Sequence, residues 1–262
     1  MEPILLKPIG EVISQVADSH QMPPGGVPAK IKIYPRYEPA LLRLEENSHI
    51  WIQSWFHQAD RNKLTVAFRK YFEIPEYGVF SLRAPARPNP IALSLARLLK
   101  REENMLCLER LDAVSGTPVL DIKPYFENDI IFSPRTSYIR GKDRAYRLNQ
   151  MLRRALAHHQ EECMFLKLAV RMALVAEEVF GHLNTPDLFV TVYGSACLAD
   201  TIQGLSRARL ANPARFSYIP SAERQQTIWQ RPGKGTLTLI WAGQQDIMES
   251  EDEELLSISF DN

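Results

Sequence analysis

This sequence of 262 residues has few cysteines, no long apolar run and no net charge. Its three cysteines, Cys107, Cys163 and Cys197, are too few and too scattered for a disulfide framework, which predicts a reducing compartment. No segment approaches the ~20 apolar residues that a membrane-spanning helix needs, and the first residues do not have the pattern of a signal peptide. With 31 basic and 31 acidic residues, the chain has no bulk charge with which to hold nucleic acid. We therefore expect a soluble, cytoplasmic protein that has no membrane partner.

The pattern of hydrophobic residues changes near residue 142. Up to that point, short runs rich in β-branched and aromatic residues are separated by proline and glycine, which is typical of a small barrel or sandwich. Residues 143–181 then form a long helical pattern, broken near His158, and a strand, a second helix and three strand-like runs follow it. We predict a β-rich domain over 1–142, a smaller α+β domain over 143–243 and an acidic, flexible tail over 244–262.

A proline-rich segment, residues 83–94, combines rigid backbone with polar side chains. Its three prolines each fix φ near −65° and push the preceding residue into an extended conformation, so Arg87 and Asn89 have a preset orientation. Arginine beside asparagine suits an anion, a carboxylate or a purine edge. A tight structural connection explains the same residues equally well.

A second segment, residues 111–125, contains a turn that leads into a strand. Ser115-Gly-Thr-Pro118 reads as the turn, and the strand after it places Asp121 and Lys123 on one face and Leu120 and Ile122 on the other. The two polar residues belong either to a binding site or to a solvated strand face.

Taken in order, the motifs of the first region resemble the TrmO family, also called the TsaA-like family. The resemblance runs in register over roughly residues 3–140. It is carried by Ile9-Gly10-x-Val12, Ser48-His49-Ile50-Trp51, Trp55-Phe56-His57-Gln58, Gly78-Val79-Phe80-x-x-Arg83, Arg87-Pro-Asn-Pro-Ile91, Leu111-Asp112 and Gly116-Thr-Pro-Val-x-Asp-Ile-Lys-Pro-Tyr125.

The resemblance implies a methyltransferase that uses S-adenosylmethionine and is built on a mostly antiparallel β-barrel, so that the chain is α+β overall. It also implies N6-methylation of threonylcarbamoyladenosine next to the anticodon of tRNA, and a homodimer whose site lies near the subunit interface. No Gly-x-Gly motif follows the first strand-like run, which agrees with a barrel rather than a Rossmann-like fold.

Carried over by position, the resemblance also implies roles for particular residues. Arg87 and Asn89 would shape the site or contact the substrate, and Asp121, Lys123 and Tyr125 would position the substrate and handle its proton. The chain departs from the family at Met22-Pro23-Pro24-Gly25, which lacks an arginine, at Ala92 and at Ser115. The cofactor contacts would be His57, Gln58, Arg83, Leu93, Asp112, Ala113, Val114, Ser115, Gly116 and Thr117.

The second region resembles the FmdE family over about residues 155–242, in the segments around His159-Gln-Glu-Glu-Cys163 and Cys197-Leu-Ala-Asp200. This resemblance implies metal ligands, and His159, Glu161, Cys163 and Cys197 offer nitrogen, oxygen and sulfur donors for zinc. Alternatively, Cys163 is a small buried hydrophobe and His159 belongs to a solvated histidine pair.

Three further interpretations stay open. The chain is either an active methyltransferase for tRNA, a non-catalytic regulatory protein that binds S-adenosylmethionine or metal, or a methyltransferase for a small molecule. A basic run either contacts tRNA phosphates or forms a solvated helix face. The run comprises Arg140, Lys142, Arg144, Arg147, Arg153 and Arg154.

Overall fold

The computed structural model of the chain describes residues 3–67, 72–73 and 75–261. These residues form two units, one from residues up to Ala67 together with Glu76–Ile130, the other from a short strand at Phe72–Glu73 together with the chain from Ile131 onward. The division falls earlier than the predicted boundary at residue 142. The reason is that the segment from residue 131 bonds within the second unit, where Asn184 donates to the Pro134 carbonyl over 2.9 Å and Tyr138 donates to Glu177 over 2.9 Å.

The first unit is a closed barrel in which every pair of neighbouring strands is antiparallel, in the order β1-β2-β8-β7-β3-β9. Side chains alternate strictly along β2 and β3, so Ile31, Ile50 and Ile52 are fully buried inside while their neighbours are more exposed. The predicted fold class is confirmed. The strands in chain order are β1 (Gly10–Ser14), β2 (Val27–Ile33), β3 (His49–Trp55), β4 (Thr65–Val66), β5 (Phe72–Glu73, in the second unit), β6 (Tyr77–Gly78), β7 (Ile91–Glu102), β8 (Met105–Leu111) and β9 (Pro118–Pro124).

The second unit places helices against a mixed sheet of order β12-β11-β13-β14-β15, and β5 pairs with β10 beside it. Helix α2 is apolar on almost every side, and its residues form much of the core with Trp229 and Leu239. The elements are β10 (Arg140–Gly141), α1 (Arg144–His159), α2 (Met164–Phe180), β11 (Phe189–Gly194), α3 (Ala196–Ser206), β12 (Phe216–Pro220), β13 (Gln226–Arg231), β14 (Gly235–Trp241), α4 (Asp252–Leu255) and β15 (Leu256–Asp261).

The prediction of a flexible tail over 244–262 is wrong for the residues that the structure describes. Strand β15 pairs along the whole of β14, and the side chains of Leu255 and Leu256 are buried in the core. The buried guanidinium of Arg171 donates to the carbonyls of Ile247 and Ser250 over 2.6 and 2.7 Å. The acidic composition suggested a solvated segment, but the buried side chains of Leu255 and Leu256 and the backbone pairing with β14 hold it in the second unit.

None of the described helices has the length and apolar character needed to cross a membrane.

Candidate functional site

A pocket of about 340 Å³ opens at one end of the barrel, where β3 and β8 end and β7 and β9 begin. Four loops contribute to it, and a cavity of this size is within the range of small-molecule sites. Seven of the ten predicted cofactor contacts line it: His57, Gln58, Arg83, Asp112, Ala113, Val114 and Thr117.

The turn between β8 and β9 is fixed to the neighbouring strand by its backbone. The amides of Ser115 and Gly116 donate to the carbonyls of Val16 and Val12, each over 2.8 Å, and the Ser115 hydroxyl accepts from the amide of Ser14. Gly116 has a φ of 80°, which favours glycine. The sequence predicts that Ser115 and Gly116 contact the cofactor, but neither lines the pocket. Their hydrogen bonds hold in place the turn that does.

Two polar groups of this turn face the pocket without strong partners. The hydroxyl of Thr117 is fully buried and has no hydrogen-bond partner among the described residues. Asp112 stays accessible to solvent, yet protein atoms around it exclude enough water to raise the pKa of its carboxyl. Buried polar groups are normally hydrogen-bonded, so Thr117 fits a site that a polar ligand completes, and the accessible carboxyl of Asp112 is open to the same ligand.

Arg87 holds the loop beside the pocket and does not line the pocket itself. Its guanidinium donates to the carbonyls of Ala84, Val79 and Leu82 over 2.8, 3.1 and 2.6 Å. These bonds shape the segment that presents Arg83 to the pocket. Asn89 is exposed and also lies outside the lining. Of the two predicted roles for Arg87, shaping the site or contacting the substrate, these bonds favour the first, and the role of Asn89 stays a prediction.

Four other predicted residues lie on the outer face of the barrel. Leu93 is 44% exposed on β7, and Asp121 and Lys123 form an ion pair of 2.6 Å along β9. The ring of Tyr125 lies 5.9 Å from that of Trp51 on β3. Within a single chain, none of the four lines the pocket. The catalytic roles of Asp121, Lys123 and Tyr125 stay a prediction.

Eight other residues line the pocket and were not predicted as cofactor contacts. Phe56, Ala59 and Asp60 adjoin the recognised His57-Gln58 pair, so their position in the chain was a usable signal. In the loop between β1 and β2, the departure from the family at Met22 was a signal, whereas Ser19 and His20 had none because only the closure of the barrel brings them to the pocket. The missed residues are Ser19, His20, Met22, Phe56, Ala59, Asp60, Pro85 and Ala86.

A second cluster lies in the second unit, where the ends of three helices meet. The ligand atoms of His159, Cys163 and Cys197 all lie within 4.8 Å of one another, and His159 Nε2 is 3.6 Å from Cys163 Sγ. Glu161 is exposed and does not belong to this group. Three of the four predicted metal ligands are thus brought together.

Asp200 orients the histidine of this cluster. Its carboxylate lies 2.7 Å from His159 Nδ1 and 3.2 Å from His158 Nε2. A proton on His159 Nδ1 leaves the lone pair of Nε2 facing the sulfur atoms, which is the usual arrangement of histidine ligands of zinc. Gly204 leaves room for the His158 ring beside Asp200, since a Cβ at residue 204 would lie 2.3 Å from that ring. These donors fit zinc in kind and number, with one position left for a fourth ligand.

Comparison with known proteins identifies the first unit. The model of the tRNA-methyltransferase O N-terminal domain matches residues 16–129. A probable S-adenosyl-L-methionine-binding protein of Methanothermobacter thermautotrophicus is 43% identical over 129 residues, which cover 48% of this chain and 92% of that protein. The chain belongs to the TrmO family.

Other relatives cover different shares of the chain. A probable S-adenosyl-L-methionine-binding protein of Archaeoglobus fulgidus is 30% identical over 239 residues, 87% of this chain, and the chain spans 64% of its length. The human tRNA (adenine(37)-N6)-methyltransferase is 41% identical over 95 residues, 36% of this chain and 22% of that protein. The crystal structure of TrmO from Pseudomonas aeruginosa is 31% identical in sequence, and the match covers 52% of this chain and 62% of that one, with a TM-score of 0.43.

Proposed function

We propose that this chain is a methyltransferase that transfers a methyl group from S-adenosylmethionine to N6 of threonylcarbamoyladenosine beside the anticodon of tRNA. The barrel pocket carries the proposal, because every residue that lines it lies within the segment matched by the family model. The names of the relatives support the cofactor and the class of substrate.

The lining residues suit a ligand that carries both charges. S-adenosylmethionine has a carboxylate, an ammonium, a sulfonium and a ribose with two hydroxyls. Arg83 offers a guanidinium for the carboxylate, while Asp60 and Asp112 offer acceptors for cationic and hydroxyl groups. The phenyl ring of Phe56 and the apolar side chain of Val114 add surface for an adenine ring.

When bound, the cofactor supplies an electrophilic methyl group for a nitrogen nucleophile. The chain's own contribution is to hold donor and acceptor in line and to exclude water, which account for most of the barrier that such sites remove. The hydrogen bonds of the turn between β8 and β9, and those of Arg87 to its own loop, fix two walls of the pocket before the cofactor binds.

We also propose that two copies of the chain pair through the outer face of β7. Ile91, Leu93 and Leu95 are 40–44% exposed there in a row, and such apolar stripes are typical of contact surfaces. Pairing would place Leu93 near a second copy, with the residues of β9 one strand further away, beyond β3. Sedimentation velocity should show a species of twice 30.0 kDa; a monomer at micromolar concentration would contradict the pairing.

The test of the enzymatic proposal is methylation itself. Full-length protein is incubated with tRNA and a deuterium-labelled methyl donor, and the nucleosides are separated by mass spectrometry. We expect the label on threonylcarbamoyladenosine and none in reactions without protein. Binding of the donor together with unlabelled tRNA would instead identify a non-catalytic binding protein, and labelling of a small molecule would replace the tRNA substrate.

We propose, in addition, that the cluster of His159, Cys163 and Cys197 holds zinc. The support is the convergence of three donors from separate helices, with Asp200 orienting the histidine. Such a site would connect the ends of α1, α2 and α3 and stabilise their packing.

Replacement of Cys163 tests the zinc proposal. We expect the purified protein to hold about one zinc per chain, and Cys163→Ser to lose most of it, because serine removes one soft ligand. Cys107→Ser is the matched control, since Cys107 is buried in the barrel and should leave the zinc content unchanged. Equal zinc in both variants, or none in the wild type, would contradict the site.

A further inference from the structure

The second unit contains a separate cavity of about 530 Å³ between α1, the end of α3 and the segment 134–141. Nothing in the proposed methyl transfer uses it. The charged part of its lining is predominantly basic, with three arginines and one carboxylate: Arg147, Arg154, Arg207 and Glu177.

The charges in this lining are unevenly matched. Glu177 is compensated, because its carboxylate lies 3.1 Å from Arg147 Nε and accepts from the Tyr138 hydroxyl. Arg154 and Arg207 form no ion pair with any carboxylate in the described part of the chain. Arg154 donates only to the carbonyl of Leu205, over 3.3 Å. The two guanidinium groups thus face one cavity in which Glu177 is the only carboxylate among the described lining residues. The charge of Glu177 acts to raise the pKa of Arg154, but its ion pair is with Arg147.

The two arginines also lie close enough to repel each other. Surrounding protein atoms and the positive charge of Arg207 both lower the pKa of Arg154. Arginine stays charged at neutral pH despite such a shift. An anion between the two groups would relieve this repulsion.

The backbone fixes Arg207 in its place. Its carbonyl accepts hydrogen bonds from the Ser133 hydroxyl, over 2.5 Å, and from Arg215 Nη2, over 3.2 Å. Its side chain makes no hydrogen bond within the described residues, and the guanidinium lies 5.5 Å from the centre of the Phe132 ring. Apart from this contact with the Phe132 ring, the guanidinium of Arg207 has no hydrogen bond or ion pair among the described residues.

An aromatic pair completes the cavity wall. The rings of Tyr138 and His182 stack at 4.8 Å with an angle of 8° between their planes. Burial and the nearby charges of Arg154 and Arg231 lower the pKa of His182, so its ring is neutral at pH 7. Neutral rings beside cations suit a ligand that has both a planar apolar part and an anionic part.

We propose that this cavity binds a phosphate-bearing small molecule of mononucleotide size, with its phosphate between Arg154 and Arg207. Two guanidinium forks match the geometry and charge of a phosphate dianion. The concave shape favours a free nucleotide over a strand of RNA, whose backbone is usually followed by an open groove.

Calorimetry of the full-length protein with adenosine monophosphate, adenosine and inorganic phosphate tests the site. We expect the nucleotide to bind, phosphate to compete with it, and adenosine to bind at least tenfold more weakly than the nucleotide. Arg154→Gln and Arg207→Gln should each weaken nucleotide binding about tenfold or more, the loss typical of a charge-assisted hydrogen bond. Arg153→Gln, a neighbouring arginine that does not line the cavity, is the control for charge.

Binding of S-adenosylmethionine should be equal in all these proteins, which separates this site from the barrel pocket. Arg207→Gln is the informative variant if Arg154→Gln destabilises the unit, since the Arg207 side chain makes no hydrogen bond there. The proposal would be overturned if neither the nucleotide nor phosphate bound at a ligand concentration of about 10 mM, which is well above the Kd of a specific site. So would equal weakening by Arg153→Gln, or arginine-dependent binding of an RNA oligonucleotide alone.

Discussion

Ala86→Trp is expected to abolish binding of S-adenosylmethionine while the barrel stays folded. Ala86 lines the pocket from the loop that Arg87 holds, and it does not belong to the barrel core. An indole at this position would occupy much of a cavity of about 340 Å³. We expect the Kd from calorimetry to rise at least about a hundredfold, since a blocked pocket loses most of its contacts with the ligand.

The control for this variant is Ala40→Trp, which adds the same side chain to an exposed position of the same unit, outside the lining. Its affinity for the cofactor should equal that of the wild type. Thermal unfolding of both variants should stay close to that of the wild type. Unchanged affinity in folded Ala86→Trp would show that the cofactor binds elsewhere.

Arg171→Gln is expected to release the end of the chain from the second unit. Arg171 is 3% exposed and donates to two carbonyls near residue 250 and to the carboxylate of Asp252, over 2.5 Å. Breaking a buried ion pair by removing one partner typically costs about 3–5 kcal/mol. The free energy of unfolding should fall by that order, and amide exchange should become faster in β14 and β15.

Arg209→Gln serves as the control, since Arg209 is an exposed arginine of the same unit and its loss should change stability by less than about 0.5 kcal/mol. The expectation fails if Arg171→Gln unfolds at the same denaturant concentration as this control. It also fails if β15 exchanges as slowly as in the wild type, because then the strand needs no anchor.

The sequence alone was sufficient to predict the strands of the barrel, since their side chains alternate with a period of two. It was less informative at the end of the chain, where the alternating residues of β15 follow an acidic run. Within that run, Asp252 pairs with two residues that are distant in the chain, Arg144 and Arg171. Local composition cannot show a partner that lies 81 residues away in the chain.

The candidate site divides in a similar way. His57 and Asp112, which belong to motifs that resemble the family, are predicted as cofactor contacts from the sequence and do line the pocket. For Arg87 the sequence left two roles open, shaping the site or contacting the substrate, and only the structure shows that its donors bond to the loop. Ser19 and His20 were missed as lining residues, since barrel closure determines their neighbours.

The basic run over residues 140–154 likewise separates into different roles only in three dimensions. Arg144 and Arg147 form ion pairs with Glu178, whereas Arg154 lines a cavity. The tRNA contacts considered for the run stay a prediction. The ion pairs of Arg144 and Arg147 reduce the charge that they could offer to phosphates.

Amide exchange of the full-length protein with and without S-adenosylmethionine tests most directly whether the barrel pocket is the cofactor site. We expect the ligand to slow exchange in the loop around residues 19–22, in residues 56–60 and in the turn 112–117, which together line the pocket. The second unit should exchange at an unchanged rate. Protection confined to residues 134–207, or no protection at saturating ligand, would contradict a cofactor site at this end of the barrel.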